Sequence, residues 1–328
     1  MLDLLIIGGG PVGIATALEA KKKNLNYIVI EKGVLVNSIF HFPAYMRFFS
    51  TSEKLEIDNI PFTSINPKPT RSEGLEYYRK VAYNNDLKIN LFEKVETIEK
   101  VENHYKVETS KGAYSTKNIT VATGFYGIPN YINVPGEDLP KVSHYYNDPH
   151  YYYMQKTIVV GASNSAADAA LEIYRKGGEV TMVVRGDDIG ERVKYWVRPD
   201  IKNRIAEGSI RAFYNANVVE IRENEVDIKL QNGEIKTLEN DHVLILTGYR
   251  PNYAFLKKLG IKISQDAKKI PHYDIETMET NQEGIYLAGV ICAGEETHNL
   301  LIENSLIHAK KIVKHISGQI KKQNLQKT

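Results

Sequence analysis

The chain has 328 residues, of which 42% are hydrophobic and 25% charged, and its formal net charge is +2. This composition is that of an ordinary globular protein with room for two domains, and it argues against disordered and membrane-embedded classes. Because basic and acidic side chains nearly balance, no broad field favours nucleic acid or an anionic membrane, and we expect a small-molecule partner.

The first 30 residues predict a βαβ unit. The apolar run Leu4–Ile7 predicts a strand, Ile14–Lys23 an amphipathic helix, and Asn26–Ile30 a second strand. The uncharged stretch from Leu4 to Leu18 does not resemble a signal peptide, because Asp3 precedes it and a Gly-Pro turn interrupts it. We therefore interpret Leu4–Leu18 as part of a folded domain, and the single cysteine fits a reducing cytoplasm, where we expect the protein.

A glycine turn joins this first strand to the helix. Gly8, Gly10 and Gly13 have the spacing that lets a backbone approach a pyrophosphate at a helix N-terminus. Glu31 follows Gly13 by 18 residues and ends the second strand, where a carboxylate accepts hydrogen bonds from ribose hydroxyls. The sequence therefore predicts a dinucleotide site, with a ligand-free turn as the alternative, and Lys32 either assists the phosphates or is solvated.

A second unit of the same kind lies further along the chain. Thr157–Val160 predicts a strand, a helix follows through Arg175, and Glu179–Val184 predicts the next strand. The glycines that open the two turns, Gly8 and Gly161, lie 153 residues apart (161 − 8). This separation is too long for a solenoid repeat, so we expect two related domains.

The remaining segments predict how the two domains connect. Short strands are expected over Val95–Val107 and Ala113–Ala122, and another over Val243–Leu246. The first two strands lead into Ala122-Thr123-Gly124, and the strand Val243–Leu246 leads into Thr247-Gly248-Tyr249. We interpret these two similar Thr-Gly motifs as the points where the chain crosses between domains. Gly284–Gly289 predicts a last strand and Glu303–Gly318 a closing helix, both returning to the first domain.

These elements predict an α/β fold with two Rossmann-like domains, the second inserted into a discontinuous first one. The expected boundaries are 1–128 and 249–328 for the first domain and 129–248 for the inserted domain.

The second turn differs from the first in its chemistry. It reads Gly161-x-Ser163-x-x-Ala166, with Asn164 and Ser165 between the small residues. At the end of the following strand stands Arg185, where an NAD site would carry an acid, and a guanidinium there can hold a 2′-phosphate. The sequence therefore favours NADPH over NADH. Lys194 is either a second phosphate contact or, with Arg192 and Arg198, part of a solvated loop.

With both turns in place, the chain resembles flavoproteins related to low-molecular-weight thioredoxin reductase and, more narrowly, the bacillithiol disulfide reductase family. The narrower resemblance rests on Gly8-Gly9-Gly10-Pro11, Phe48-Phe49-Ser50, Ala122-Thr123-Gly124, Asp138-Leu139-Pro140-Lys141-Val142, Lys194-x-Trp196 and Ile302-Glu303-Asn304. It implies FAD and NADPH as cofactors, hydride transfer from NADPH to FAD, a low-molecular-weight disulfide or another electron acceptor, and a homodimer.

Together, the turns and the resemblance place the two sites on named residues. The FAD site is expected at Gly8, Gly10, Pro11, Gly13, Glu31, Lys32, Ser50, Val95, Ala122, Thr123, Gly124, Gly289 and Val290. The NADPH site is expected at Gly161, Ser163, Asn164, Ser165, Arg185, Lys194 and Gly248.

The chain departs from both families at the residue that would exchange electrons with a disulfide. Thioredoxin reductases have a Cys-x-x-Cys pair, which a chain with one cysteine cannot have, and one cysteine also excludes a multi-cysteine metal site. The bacillithiol family has a cysteine directly after the proline of the first turn, where this chain has Val12. No catalytic residue is therefore assigned. Cys292 is either a substitute redox group or an inert buried thiol, and no metal is expected.

Two other functions remain open. Flavin monooxygenases place a histidine in a Phe-x-Gly-x-x-x-His signature, but the matching positions before His144 are Asp138 and Pro140. The missing thiol pair also allows an electron-transfer flavoprotein that reduces a ferredoxin-like partner. The tyrosines around His144 either stack on a ligand or anchor the crossing between the domains.

Overall fold

The structure, a computed structural model, describes residues 1–325. Its internal contacts divide the chain into two compact units. Unit 1 comprises Met1–Phe40, Met46–Ile128 and the chain from Arg250 onward, and unit 2 comprises His41–Tyr45 and Pro129–Tyr249.

The strands and helices alternate through both units. In chain order, the strands are β1 (Leu2–Ile7), β2 (Tyr27–Ile30), β3 (Ile89–Asn90), β4 (Val95–Val101), β5 (His104–Thr109), β6 (Gly112–Val121), β7 (Val142–Ser143), β8 (Lys156–Val160), β9 (Glu179–Val183), β10 (Arg211–Phe213), β11 (Asn217–Ile221), β12 (Glu225–Lys229), β13 (Ile235–Glu239), β14 (His242–Ile245) and β15 (Ile285–Leu287). The helices are α1 (Pro11–Lys22), α2 (Asn37–Phe40), α3 (Arg71–Asn84), α4 (Asn164–Arg175), α5 (Arg198–Ala206), α6 (Tyr253–Lys258), α7 (Ile302–Ser305) and α8 (Ile307–Leu325), with 3-10 turns at Glu53–Leu55, Pro149–Tyr152, Val290–Ala293 and Thr297–Asn299.

Unit 1 is built on a parallel sheet with the order β3-β2-β1-β6-β15. The strand β6 is long enough to pair with β1 and β15 along its second half and, antiparallel, with β5 along its first half. The inner strands read as apolar runs because parallel strands are covered on both faces. Leu4, Leu5 and Ile119 are fully buried, and α1 and α8 pack together over this core.

Unit 2 repeats this architecture. Its parallel sheet has the order β10-β9-β8-β14-β7, and a three-stranded antiparallel sheet, β11-β12-β13, is inserted between β10 and β14. Helix α4 covers the sheet with an alanine-rich face that includes Ala166, Ala169 and Ala170, all fully buried. Two parallel sheets with related strand orders confirm the predicted α/β class with two Rossmann-like domains.

The elements at both turns form where the sequence predicts them, with three differences. Helix α1 begins at Pro11 and not at Ile14, because the fixed φ of proline suits the first helical position. The closing helix is divided into α7 and α8. The short segment His41–Tyr45 belongs to unit 2, where the N–H of Ala44 donates to the carbonyl of Asn147 at 2.8 Å.

Candidate functional site

The first glycine turn is closed on one side by backbone and open on the other. A Cβ on Gly8 would lie 2.5 Å from the carbonyl oxygen of Ala122, and a Cβ on Gly13 would lie 1.9 Å from that of Gly8. No L-residue with a side chain fits either position without movement of the backbone. By contrast, a Cβ on Gly10 would meet no atom of the described chain within 4 Å, so the space beside Gly10 is open to a ligand.

The carboxylate of Glu31 is fixed against this turn. Its Oε2 accepts the N–H of Gly9 at 2.7 Å, and its Oε1 accepts the N–H of Gly33 at 2.8 Å. The side chain is buried, with a residue exposure of 6%. Each carboxylate oxygen can accept a second hydrogen bond, so Glu31 keeps the capacity to hold ribose hydroxyls while it orders the turn. The neighbouring Lys32 is exposed, with its Nζ 3.2 Å from the point where a Cβ on Gly127 would lie.

Three chain segments that are far apart in sequence meet beside the first turn. Gly289 has φ +87°, and a Cβ there would lie 3.4 Å from Cγ2 of Val12 in the first turn of α1. A Cβ on Gly124 would lie 3.9 Å from Cγ1 of Val290. The sequence assigned all of these segments to the FAD site, and the structure brings them together.

Two other residues assigned to the FAD site are placed differently. Ser50 is buried, whereas Val95 opens β4 at a register shift in its pairing with β5. A shift of this kind leaves backbone groups of the strand outside the ladder. Among the described contacts, none joins either residue to the glycine turn, so their roles stay predictions.

The residues of the first turn fit FAD. A helix N-terminus with an open approach at Gly10 is the usual cradle for a pyrophosphate, and the carboxylate at the end of β2 is the usual ribose ligand.

The second turn resembles the first in its opening glycine and differs in its later residues. Gly161 has φ +132°, and a Cβ there would lie 2.5 Å from the carbonyl oxygen of Leu246. Ser163 caps α4 without a side-chain hydrogen bond, and both Ser163 and Ser165 are exposed. Ala166 is fully buried. The hydroxyls of this turn are therefore accessible to a phosphate, which fits NADPH as a ligand.

The two cations predicted at the 2′-phosphate lie in different environments. Arg185 is exposed and makes no hydrogen bond or ion pair with any residue in the described part of the chain. Lys194 instead donates to Asp168 on α4 at 2.8 Å and keeps only 11% of its side chain exposed. This ion pair partly neutralises the charge of Lys194 within the protein, which favours a role in shaping the loop, and its contact with a phosphate stays a prediction.

Asn164 is also used by the protein itself. Its Oδ1 accepts the N–H of Lys194 at 2.8 Å, and its Nδ2 donates to the carbonyl of Arg192 at 3.1 Å. Together with the Lys194–Asp168 pair, these bonds tie the loop after β9 to the start of α4. Asn164 and Lys194 therefore shape the second turn, whereas the Arg185 side chain, just after β9, is unpaired among residues 1–325.

The Thr247-Gly248-Tyr249 motif is held in place by hydrogen bonds within unit 2. Gly248 has φ +94°, which requires glycine, and a Cβ there would lie 3.4 Å from Nδ2 of Asn130. The hydroxyl of Thr247 donates to the carbonyl of Asn130 at 2.6 Å. These bonds fix the path of the chain after β14, within unit 2.

His144 and its aromatic neighbours pack within unit 2. Its Nε2 lies 3.2 Å from Oε1 of Glu137, and its backbone carbonyl accepts the hydroxyl of Tyr249 at 2.9 Å. The rings of Tyr145 and Tyr249 stack with centroids 5.3 Å apart. Burial lowers the pKa of His144, against the opposing effect of Glu137. These contacts favour the anchoring role of the aromatic stretch over the ligand-stacking role.

Cys292 lies in the hydrophobic core of unit 1, with an exposure of 1%. Burial raises the pKa of its thiol well above the usual value, so the thiolate is not formed at neutral pH. The environment is that of an inert structural cysteine and argues against the substitute redox role.

One contact at this site has no signal in the sequence. The N–H of Gly289 donates to Nδ1 of His308, on α8, at 3.1 Å. The two residues are 19 positions apart in the chain (308 − 289). A single histidine in an amphipathic helix gives no indication that its side chain accepts a backbone N–H from a distant turn. Among residues 1–325, no group of three or more His, Cys, Asp and Glu side chains has a metal-binding arrangement, and no helix is long and apolar enough to span a bilayer.

Comparison with known proteins shows extensive similarity. The family model described as pyridine nucleotide-disulphide oxidoreductase matches residues 5–289. The chain is 42% identical over 319 residues to bacilliredoxin reductase Bdr of Bacillus subtilis (strain 168), a match that covers 97% of each. It is 40% and 41% identical to solved structures of bacillithiol disulfide reductase Bdr from Bacillus cereus and Staphylococcus aureus. Both have a TM-score of 0.94 and cover 97% of this chain, and the matches cover 99% and 98% of those chains.

Proposed function

The chain belongs to the pyridine nucleotide-disulphide oxidoreductase family, and from this we propose that it carries electrons from NADPH through FAD to a low-molecular-weight disulfide. The observation that carries the proposal is the pair of dinucleotide turns, one followed by a buried carboxylate and the other by an exposed guanidinium. The similarity to bacillithiol disulfide reductases names the substrate class: a disulfide of a small thiol such as bacillithiol.

In this proposal each nucleotide has its own set of ligands. The N-terminus of α1 with Gly10 holds the FAD pyrophosphate, and Glu31 holds the ribose of its adenosine half. The N-terminus of α4 with Ser163 and Ser165 holds the NADPH pyrophosphate. Arg185 holds the 2′-phosphate and so selects NADPH over NADH.

The chemistry that the bound nucleotides would supply is hydride transfer from the nicotinamide to the flavin and two-electron reduction of the acceptor. The protein residues need not act as acids or bases in the first transfer. They bind and orient the nucleotides, and Val12 and Val290 provide apolar surface beside the first turn. The overall reaction balances as NADPH, one proton and one disulfide giving NADP⁺ and two thiols.

The electrons must leave the flavin without help from a protein thiol. The chain has one cysteine, and Cys292 is buried with a raised pKa, so it cannot form a mixed disulfide while the protein is folded. Val12 occupies the position next to the proline of the first turn and has no ionisable group. We infer that the acceptor is reduced directly at the flavin and not by exchange with a cysteine.

The same observation favours one second candidate. A flavoprotein with no accessible thiol can also pass electrons one at a time to an iron–sulfur protein such as a ferredoxin. In that case the acceptor is a protein partner and disulfides are poor substrates. Both candidates share the two nucleotide sites and differ only in the acceptor, and in both we expect a cytoplasmic homodimer.

The test is stopped-flow spectroscopy of the purified protein. We expect a yellow protein whose flavin is bleached by NADPH and recovers its colour when bacillithiol disulfide is added. Recovery with ferredoxin but not with the disulfide would select the second candidate. A protein that is colourless, takes up no added FAD and does not oxidise NADPH would refute both.

A matched variant tests the thiol-free step. Val12→Cys places a thiol beside Gly289, at the position where the bacillithiol disulfide reductase family has its cysteine. We expect this variant to acquire a mixed disulfide with the substrate, detectable by mass spectrometry, whereas the wild-type protein forms none. A mixed disulfide on wild-type Cys292 would contradict direct reduction at the flavin.

A further inference from the structure

A buried histidine on α8 is hydrogen-bonded to the turn that carries Gly289 and Val290. Nδ1 of His308 accepts the backbone N–H of Gly289 at 3.1 Å, and His308 is 8% exposed. Since an amide N–H can only donate, Nδ1 supplies a lone pair and the ring proton is on Nε2. The histidine is therefore a neutral acceptor in this contact.

Burial keeps His308 in this neutral form. Desolvation, with a smaller contribution from the positive charge of Lys311, lowers the pKa of His308 to about 4. The lone pair on Nδ1 is thus available over the whole physiological range of pH.

The turn that His308 holds needs an external restraint. Gly289 has φ +87°, a conformation that only glycine adopts readily, and glycine has the most conformational freedom to lose on folding. The backbone bonds around it fix its neighbours: Ala288 donates to Val121, and Cys292 donates to the carbonyl of Gly289. The N–H of Gly289 itself is held by a side chain, that of His308.

The restrained turn lies against the proposed FAD site on two sides. A Cβ on Gly289 would lie 3.4 Å from Val12, and Val290 lies beside Gly124. A shift of the turn by a few tenths of an ångström would therefore be transmitted to the first turn of α1 or to the segment after β6, because close-packed groups cannot absorb it.

We propose that His308 is a positioning residue of the flavin site, whose Nδ1 holds the Gly289–Val290 turn against Val12 so that FAD binds in a single, ordered environment. This role deepens the proposed function and rests on it. It acts through the backbone of Gly289, with no direct contact between His308 and substrate required.

Two substitutions of similar polarity distinguish a role of His308 as a hydrogen-bond acceptor from a role in packing alone. His308→Asn places its Oδ1 two bonds from Cβ, as Nδ1 is in histidine, whereas His308→Gln places its acceptor one bond further out, as Nε2 is. We expect His308→Asn to bind FAD within about threefold of wild type. We expect His308→Gln to bind it about tenfold more weakly, because the buried N–H of Gly289 is left unsatisfied.

The matched control is His315→Gln, on the same helix. Nδ1 of His315 lies 3.1 Å from the hydroxyl of Tyr286, a side chain of β15, and not at the turn. Its loss should change the thermal stability of the apoprotein without changing FAD affinity.

The readouts are the FAD dissociation constant of the apoprotein, the vibronic structure of the bound flavin's absorption band, and the melting temperature of the apoprotein. The proposal is supported if His308→Gln, but not His308→Asn or His315→Gln, binds FAD weakly and loses the vibronic structure of the flavin band. It is overturned if His308→Asn and His308→Gln lose FAD equally, if neither loses it, or if the loss merely tracks apoprotein stability. A wild-type protein that binds no FAD would refute the proposed function itself, which is a different outcome.

Discussion

The two dinucleotide turns begin in the same way and end differently. Gly8 and Gly161 both have positive φ, and a Cβ on either would lie 2.5 Å from a carbonyl oxygen, that of Ala122 or Leu246. At the third position the first turn has Gly13, where a Cβ would lie 1.9 Å from a carbonyl, whereas the second has Ala166, which is buried without difficulty. Helix and strand therefore approach more closely at the first turn.

The charged residues after the turns extend this contrast. Glu31 is buried and hydrogen-bonded to the first turn, whereas Arg185 is exposed and unpaired among the described residues. A preorganised site loses little freedom on binding and holds its ligand tightly, whereas an open site with a solvated cation allows exchange. The difference is the one expected between a resident FAD and a cosubstrate that enters and leaves in each cycle.

The largest effect is expected from adding a side chain at Gly13, in the first turn. Gly13→Ala forces a methyl group into the carbonyl of Gly8, and overpacking of this kind costs about 1–3 kcal/mol or displaces the turn. We expect purified Gly13→Ala to contain less than about a tenth of the wild-type flavin, measured by absorbance after denaturation. The control is Ala166→Gly, which should leave NADPH binding nearly unchanged. Normal flavin content in Gly13→Ala would remove the contrast between the turns.

A smaller effect is expected at the buried carboxylate. In Glu31→Gln one oxygen becomes an amide group that cannot accept, so the N–H of Gly9 or of Gly33 loses its partner. Hydrogen bonds to charged groups contribute about 1.5–3 kcal/mol, so FAD affinity should fall about ten- to a hundredfold. Titration of the apoprotein by flavin fluorescence measures this change. Glu76→Gln, on the surface of α3, serves as control, and an equal loss there would contradict the role of Glu31.

The sequence predicted these features because they are local. A strand, a glycine turn and a helix form within 25 residues, and the spacing from Gly13 to Glu31 reflects the length of one helix and one strand. The features that the sequence does not settle depend on packing between distant segments. Nothing near Lys194 in the sequence indicates its ion pair with Asp168. The apolar neighbours of Cys292 allow a buried thiol, but only the folded chain shows that its exposure is 1%. The contact between His308 and Gly289 likewise exists only in the folded chain.

A moderate effect on the choice between NADPH and NADH is expected from substitution of Arg185. Arg185→Ala should raise the KM for NADPH about tenfold and leave that for NADH nearly unchanged, since only NADPH has a 2′-phosphate. Lys194→Ala is a matched comparison, because the structure pairs this lysine with Asp168. Its loss should affect both cosubstrates equally, through the loop it anchors. A rise in KM for NADPH alone in Lys194→Ala would support its role as a phosphate ligand.

The smallest effect is expected at Cys292, because we propose that no protein thiol takes part in reducing the acceptor. Its raised pKa keeps the thiol protonated at pH 9, where a substantial fraction of a free cysteine is ionised, so iodoacetamide should not label the folded protein. Cys292→Ala should retain its kcat with the disulfide within about twofold, while its melting temperature falls because a buried side chain is truncated. Loss of disulfide reduction in this variant, with flavin reduction by NADPH intact, would show that the thiol takes part. The reaction would then need a local opening of the core around Cys292, and labelling by iodoacetamide would speed up in step with turnover.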